Sequence, residues 1–221
     1  GGDTMRYRAV IFDLDGTLVD SLSDLAASGN ELLAGYKETP RPVEEYRYLV
    51  GNGSRKLVER LLPGAKEAEI DEALEKYKEI YARRLIRQTK PYSGIPALLE
   101  ALAARHIPMA VCTNKHTSAA AEVLTHLFAP GTFAAYVGDR PGVPRKPDPT
   151  NVRYLLEKLR VLPEETAYLG DTSVDMETAV NTGALPVGVL WGFREKAELV
   201  ESGARVLLEH PGELLEKVEF V

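Results

Sequence analysis

The stretch Arg8 to Leu18, RAVIFDLDGTL, sets an apolar four-residue run directly against two aspartates. Ala9, Val10, Ile11 and Phe12 are rich in β-branched and aromatic character, which suits a strand buried on both faces of a parallel sheet. Asp13 and Asp15 stand two apart, so strand alternation carried to its end points both carboxylates the same way at the sheet's carboxyl edge. Open α/β sheets bind ligands along that edge. Gly16 permits a positive φ and, with Thr17, predicts a turn that brings backbone amides close to whatever the acids hold.

The chain after this strand turns helical for about seventy residues. Ser21 can cap a helix through Leu22, Leu25, Ala26, Leu32 and Leu33, and Val43 to Val50 reads as a short helix. Gly51-Asn52-Gly53 is a turn signal, Ser54 can cap the next helix, and Pro63-Gly64 ends it. Glu67 to Arg87 carries Ile70, Leu74, Tyr77, Ile80, Tyr81 and Leu85 at spacings of three and four. No strand is evident in this span.

From Pro91 the pattern alternates. Helices are predicted over Ile95–Arg105, Ser118–Leu127, Pro149–Leu159, Val174–Thr182 and Arg194–Val200, with strands over Pro108–Cys112, Thr132–Val137, Thr166–Leu169, Val187–Leu190 and Arg205–Leu208. Alternation of this kind implies a parallel, doubly wound sheet. The expected organisation is a discontinuous α/β core, residues 5–18 and 89–221, interrupted by an all-helical cap domain, 19–88. The insert departs beside the acids, well placed to exclude water and choose substrates.

At 221 residues the chain can bury a sizeable core. Its net charge is -6 with no block of like charges, which argues against nucleic acid or an anionic membrane as partner. The single cysteine, Cys112, excludes an internal disulfide and reads as a small buried side chain. No apolar run reaches transmembrane length and no early segment is of signal-peptide type, so a cytoplasmic protein is expected. Gly1 to Thr4 precede Met5 and are set aside as a cloning scar.

Three further constellations lie downstream. Thr113 ends a predicted strand before a helix, where its hydroxyl suits either a phosphate oxygen or the helix N-cap. Lys146, in Arg145-Lys146-Pro147-Asp148-Pro149, offers a cation before a helix, although an exposed loop lysine is ordinarily solvated. Asp171 closes a strand and Asp175 follows one helical turn later, so both can face one point; a capping Asp with an acidic first turn gives the same pattern. His106, His116, His126 and His210 show no zinc-like pairing. Trp191, Phe193 and Arg194 are expected to pack.

Taken in order, DxDGT from Asp13, Thr113-Asn114, Lys146-Pro147-Asp148-Pro149 and GDxxxD from Gly170 resemble the four motifs of the haloacid-dehalogenase-like phosphohydrolases, across essentially the whole core. Leu18-Val19-Asp20-Ser21 is similar to their phosphatase branch. Gly51-Asn52-Gly53, Thr113-Asn114-Lys115 and Gly170-Asp171-Thr172 look most like phosphoglycolate phosphatases.

The resemblance implies a Rossmann-like core and a set of roles. Asp13 would attack phosphorus and Asp15 would protonate the leaving alkoxide, then take a proton from water. Mg²⁺ would be held by the carboxylates of Asp13 and Asp171 and the main-chain carbonyl of Asp15, with Asp175 a ligand or a support behind the ligands. Thr113 and Lys146 would clamp phosphoryl oxygens, with Gly16 and Asn114 also binding the phosphate. Arg55, beside the glycine turn, is either a bidentate partner for a small substrate carboxylate or a solvated charge. Dehalogenases of the superfamily lack the second aspartate, so Asp15 favours a small-molecule phosphate ester, 2-phosphoglycolate first. The alternatives are pyrophosphate, a sugar phosphate, a phosphomutase, or a non-catalytic phosphate- or metal-binding regulatory protein. A monomer or a homodimer fits equally.

Overall fold

The computed structural model describes residues 6–221; the expectations for Gly1–Thr4 and for a core beginning at Met5 lie outside them. The opening stretch forms β1 (Ala9–Phe12), wholly buried, with Val10 and Phe12 in one hydrophobic cluster and Ala9 and Ile11 in the other. A strand whose alternate side chains feed two cores has no polar face to spare, which is why the run is continuously apolar.

Beyond β1 come β2 (Val19–Asp20), α1 (Leu22–Gly35), a 3₁₀ turn over Val43–Tyr48, α2 (Ser54–Leu61), α3 (Glu67–Arg84) and β3 (Lys90–Pro91). The remainder alternates: α4 (Ile95–Ala104), β4 (Met109–His116), α5 (Thr117–Leu127), β5 (Ala135–Asp139), α6 (Thr150–Leu159), β6 (Thr166–Gly170), α7 (Ser173–Thr182), β7 (Leu185–Val189), α8 (Lys196–Glu201), β8 (Val206–Leu208) and α9 (Leu214–Lys217). Six strands make one sheet in the order β5-β4-β1-β6-β7-β8, every pairing parallel. β1 is the switch point: the chain adds β4 and β5 on one side of it and β6, β7 and β8 on the other. The fold is therefore the doubly wound, Rossmann-like α/β class, and its ligand crevice opens at the carboxyl end of β1.

Two features depart from the sequence reading. Val19–Asp20 and Lys90–Pro91 pair antiparallel where no strand was expected, because a two-residue ribbon is too short to show alternation. β4 continues to His116, so Thr113 and Asn114 lie within the strand; an irregularity between Cys112 and His116 keeps it paired to β5, itself two to three residues later than expected. The helices between β2 and β3 bury Leu32, Tyr46, Leu57, Ile70, Tyr77 and Tyr81 against one another and the core. Asp24, buried in α1, accepts from the Gln88 and Thr89 amides and the Thr89 hydroxyl, at 2.9, 2.9 and 2.7 Å, and fixes where the chain returns. No helix among the described residues is long and apolar enough to cross a membrane.

Candidate active site

Asp13 follows β1 and is tied to β6 by its amide, which donates to Leu169 O at 2.9 Å. Asp15 comes next on the same edge. Its Oδ1 accepts the Ser21 hydroxyl at 2.6 Å and lies 3.2 Å from Lys115 Nζ. Ser21 thus uses its oxygen on Asp15 and does not cap α1 through its side chain. Gly16 adopts φ 83°, and a Cβ there would overlap the Asp171 carboxylate. Its amide donates to Val19 O at 3.0 Å. The residue gives Asp171 room and places its N–H within the turn. Gly16→Ala is expected to lower turnover by about 100-fold or more, since ångström-scale misplacement of reacting groups costs that much; kcat on the folded variant checks it.

Asp171 directly follows β6 and is fully buried. Thr17 Oγ1 donates to its Oδ1 at 3.2 Å and the Phe193 amide to its Oδ2 at 3.0 Å. Asp175, in the first turn of α7, uses both oxygens: Oδ2 accepts from the Asp171 amide (3.0 Å) and Oδ1 from Lys146 Nζ (2.8 Å) and Tyr168 Oη (3.1 Å). Lys146 Nζ also lies 3.2 Å from Asp13 Oδ1 and donates to Cys112 O at 3.0 Å. One buried ammonium thus serves two carboxylates, a phenol and a carbonyl.

The electrostatics follow from that arrangement. Burial, then the charge of Asp175, pushes Asp13 well above the usual carboxylate range and Asp171 up to about 7. Burial acts on Asp175 in the same direction, but Lys146 and the hydrogen bonds it receives hold it below that range. Lys146 stays charged: burial opposes this, and Asp13 and Asp175 outweigh the opposition. Burial also lifts the Cys112 thiol to about 12, so this cysteine is not a nucleophile.

Carboxylate oxygens of Asp13, Asp171 and Asp175 all lie within 4.8 Å of one another. Hard oxygen donors gathered at buried sites, with one ammonium among three carboxylates, fit a divalent cation such as Mg²⁺.

Asp13, Asp15, Thr113, Asn114, Lys115 and Thr172 line one cavity of about 60 Å³, closed from above by Leu25, Gly51, Gly53, Ser54, Leu57, Tyr77 and Tyr81. Asn114 lines the cavity, and its amide donates to Gly51 O (3.1 Å) and Lys146 O (3.2 Å) and accepts from the Lys146 amide (3.0 Å). It fixes the lysine's loop. Arg55 is turned away, held by Asp71 at 2.7 Å and Glu59 at 3.4 Å, because on α2 it is Ser54 that faces the cavity. Of the two expectations for Arg55, this placement resembles the surface charge more than the substrate contact.

Several contributors escaped the sequence. Lys115 and Tyr168 lie within motif strings but carried no distinguishing pattern. Phe193 and Trp191, expected only to pack, present an amide to Asp171 and an indole N–H to Thr17 O at 2.9 Å. Arg194 donates to Arg47 O (2.8 Å) and Val50 O (3.2 Å), joining the loop after β7 to the helical segment. Their position beyond the carboxyl end of β7 was the available signal.

The profile of the haloacid dehalogenase-like hydrolases matches residues 10–189. A phosphoglycolate phosphatase of Neisseria meningitidis is 36% identical over 204 residues, covering 90% of this chain and 87% of that protein. One from Aquifex aeolicus is 35% identical over 189 residues, 84% and 86% of the respective chains. Among solved structures, a haloacid dehalogenase-like hydrolase from Streptococcus pneumoniae superposes with TM-score 0.85 at 26% identity, over 95% of this chain and 97% of that one. The chain belongs to the haloacid dehalogenase-like hydrolase family, in its phosphoglycolate phosphatase-like branch, and is an enzyme of that hydrolase class.

Proposed function

We propose that this enzyme is a magnesium-dependent phosphatase that hydrolyses a small phosphate monoester, 2-phosphoglycolate foremost, through an aspartyl-phosphate on Asp13. The observation that carries the reading is Asp13 and Asp15 side by side in one cavity, with Lys146 Nζ 3.2 Å from Asp13. A space of about 60 Å³ also favours an ester little larger than its phosphate. The curated relatives named for phosphoglycolate support the substrate.

An Asp13 oxygen attacks phosphorus and the bond to the ester oxygen breaks. Asp15 gives its proton to that oxygen, then takes one from the water that attacks phosphorus and cleaves the acyl phosphate. Lys146 and Thr113 hold phosphoryl oxygens while charge builds on them. The carboxylates of Asp13 and Asp171 and the main-chain carbonyl of Asp15 would hold Mg²⁺, which would supply positive charge to offset the phosphate. Asp175 positions Lys146 and the Asp171 backbone, both of its oxygens being used by the protein. Residues 19–88 act as a cap on the core of 5–18 and 89–221, excluding water through the contacts of Gly51 with Asn114 and of Val50 with Arg194.

Phosphate release from 2-phosphoglycolate, pyrophosphate and a sugar phosphate, with Mg²⁺ and after chelation, tests this reading. The highest kcat/KM is expected for 2-phosphoglycolate, with chelation lowering it about 100-fold or more. Equal activity after chelation, or transfer between sugar positions without phosphate release, contradicts it.

A further inference from the structure

We infer that Lys115 is the residue that selects substrates bearing a second anionic group, a carboxylate on the carbon attached to the leaving oxygen. The inference rests on the phosphatase reading above and assigns to one side chain the choice of leaving group.

Among the described residues lining the cavity, Lys115 alone is cationic. Its side chain is 5% exposed, which is unusual for a lysine unless something engages its charge. The ammonium sits 3.2 Å from Asp15 Oδ1, contacts the Tyr81 hydroxyl and lies 4.2 Å from the centre of the Tyr81 ring. An ammonium has three donors, and the carboxylate and the phenol account for two. Asp15 is the group that meets the leaving oxygen, so a substituent one carbon beyond that oxygen falls beside Lys115 Nζ.

The charges in the cavity require such a partner. Asp13 and Asp15 both line it and repel any further negative group. Lys146 sits against Asp13 and Asp175, where the phosphoryl group engages it, and Arg55 pairs with Asp71 and Glu59. A substrate carboxylate would therefore find Lys115, against Asp15, as its cation, while Lys146 lies against Asp13. A substrate without that carboxylate leaves the third donor unmatched, which is how a buried polar group discriminates.

The test compares 2-phosphoglycolate with 2-hydroxyethyl phosphate, nearly the same size but without the carboxylate, using the magnesium-loaded enzyme, Lys115→Met and Lys115→Arg. Lys115→Met is expected to lower kcat/KM for 2-phosphoglycolate about 30-fold more than for 2-hydroxyethyl phosphate, the difference lying mainly in KM, while the loss of the Asp15 contact falls on both esters alike. Lys115→Arg is expected to keep part of the preference, as a charge-reading role requires. Equal losses on both esters would make Lys115 a support for Asp15 and overturn the inference, as would a preference unchanged in Lys115→Met. Calorimetric binding of the same two esters to Asp13→Asn, with and without Lys115→Met, reads the preference without turnover. An enzyme that binds 2-phosphoglycolate preferentially through Lys115 yet releases no phosphate refutes the phosphatase reading alone; binding of both esters equally in Asp13→Asn refutes the inference alone.

Discussion

Asp13→Asn is expected to remove phosphate release by about 10⁴-fold or more while leaving the protein folded, with a melting temperature equal to or above that of the parent. The loss is large because the amide cannot form the acyl phosphate, and removing a nucleophile takes away most of what the other groups contribute together. Stability is preserved because Asp13 is an electrostatically unfavourable carboxylate, raised by burial and by Asp175. Neutralising it relieves that repulsion, and Lys146 keeps Asp175 at 2.8 Å. Phosphate release and a melting curve on the same sample separate the two effects.

Lys146→Met should do the reverse, losing stability as well as activity. The ammonium is 3% exposed on its side chain and is the cation shared by Asp13 and Asp175, so its removal leaves like charges buried together. Breaking a buried pair by removing one partner costs about 3–5 kcal/mol. For a protein of this size that corresponds to a fall in melting temperature of roughly 10 °C. Activity should fall about 10³-fold with the loss of a donor to the phosphoryl oxygens. The instability carries a pH signature. Acids whose folded-state pKa lies above its unfolded value, as for Asp13 and Asp171, penalise folding at high pH, and the penalty fades as they protonate. The deficit of Lys146→Met relative to the parent should therefore be larger at pH 8 than at pH 5; a deficit that grows toward pH 5 contradicts this account of the cluster.

What could be read from the sequence was what local periodicity and sheet geometry determine. The run Ala9–Phe12 followed by acids two apart placed a buried strand and two carboxylates on the ligand edge, and the αβ alternation placed Asp171 at the end of another strand. Less legible were the residues whose surroundings depend on which way a side chain turns. Ser54 and Arg55 are neighbours on α2, yet one lines the cavity and the other pairs with Asp71, since a step of one residue turns about 100° around a helix. Asn114 meets loop backbones 32 and 63 residues away, and Lys115 meets Tyr81 34 residues before it. No local pattern encodes such pairings. The ribbon of Val19–Asp20 with Lys90–Pro91 escaped because two residues carry no period.

The proposed reaction turns on a covalent bond between Asp13 and phosphorus. The most direct measurement mixes the magnesium-loaded enzyme with 2-phosphoglycolate, quenches in acid on the turnover timescale and maps the peptides by mass spectrometry. A phosphoryl adduct on the peptide carrying Asp13, absent from Asp13→Asn and decaying as phosphate appears, is the predicted result. Phosphate released with no adduct at any time, or an adduct on a different residue, would contradict it.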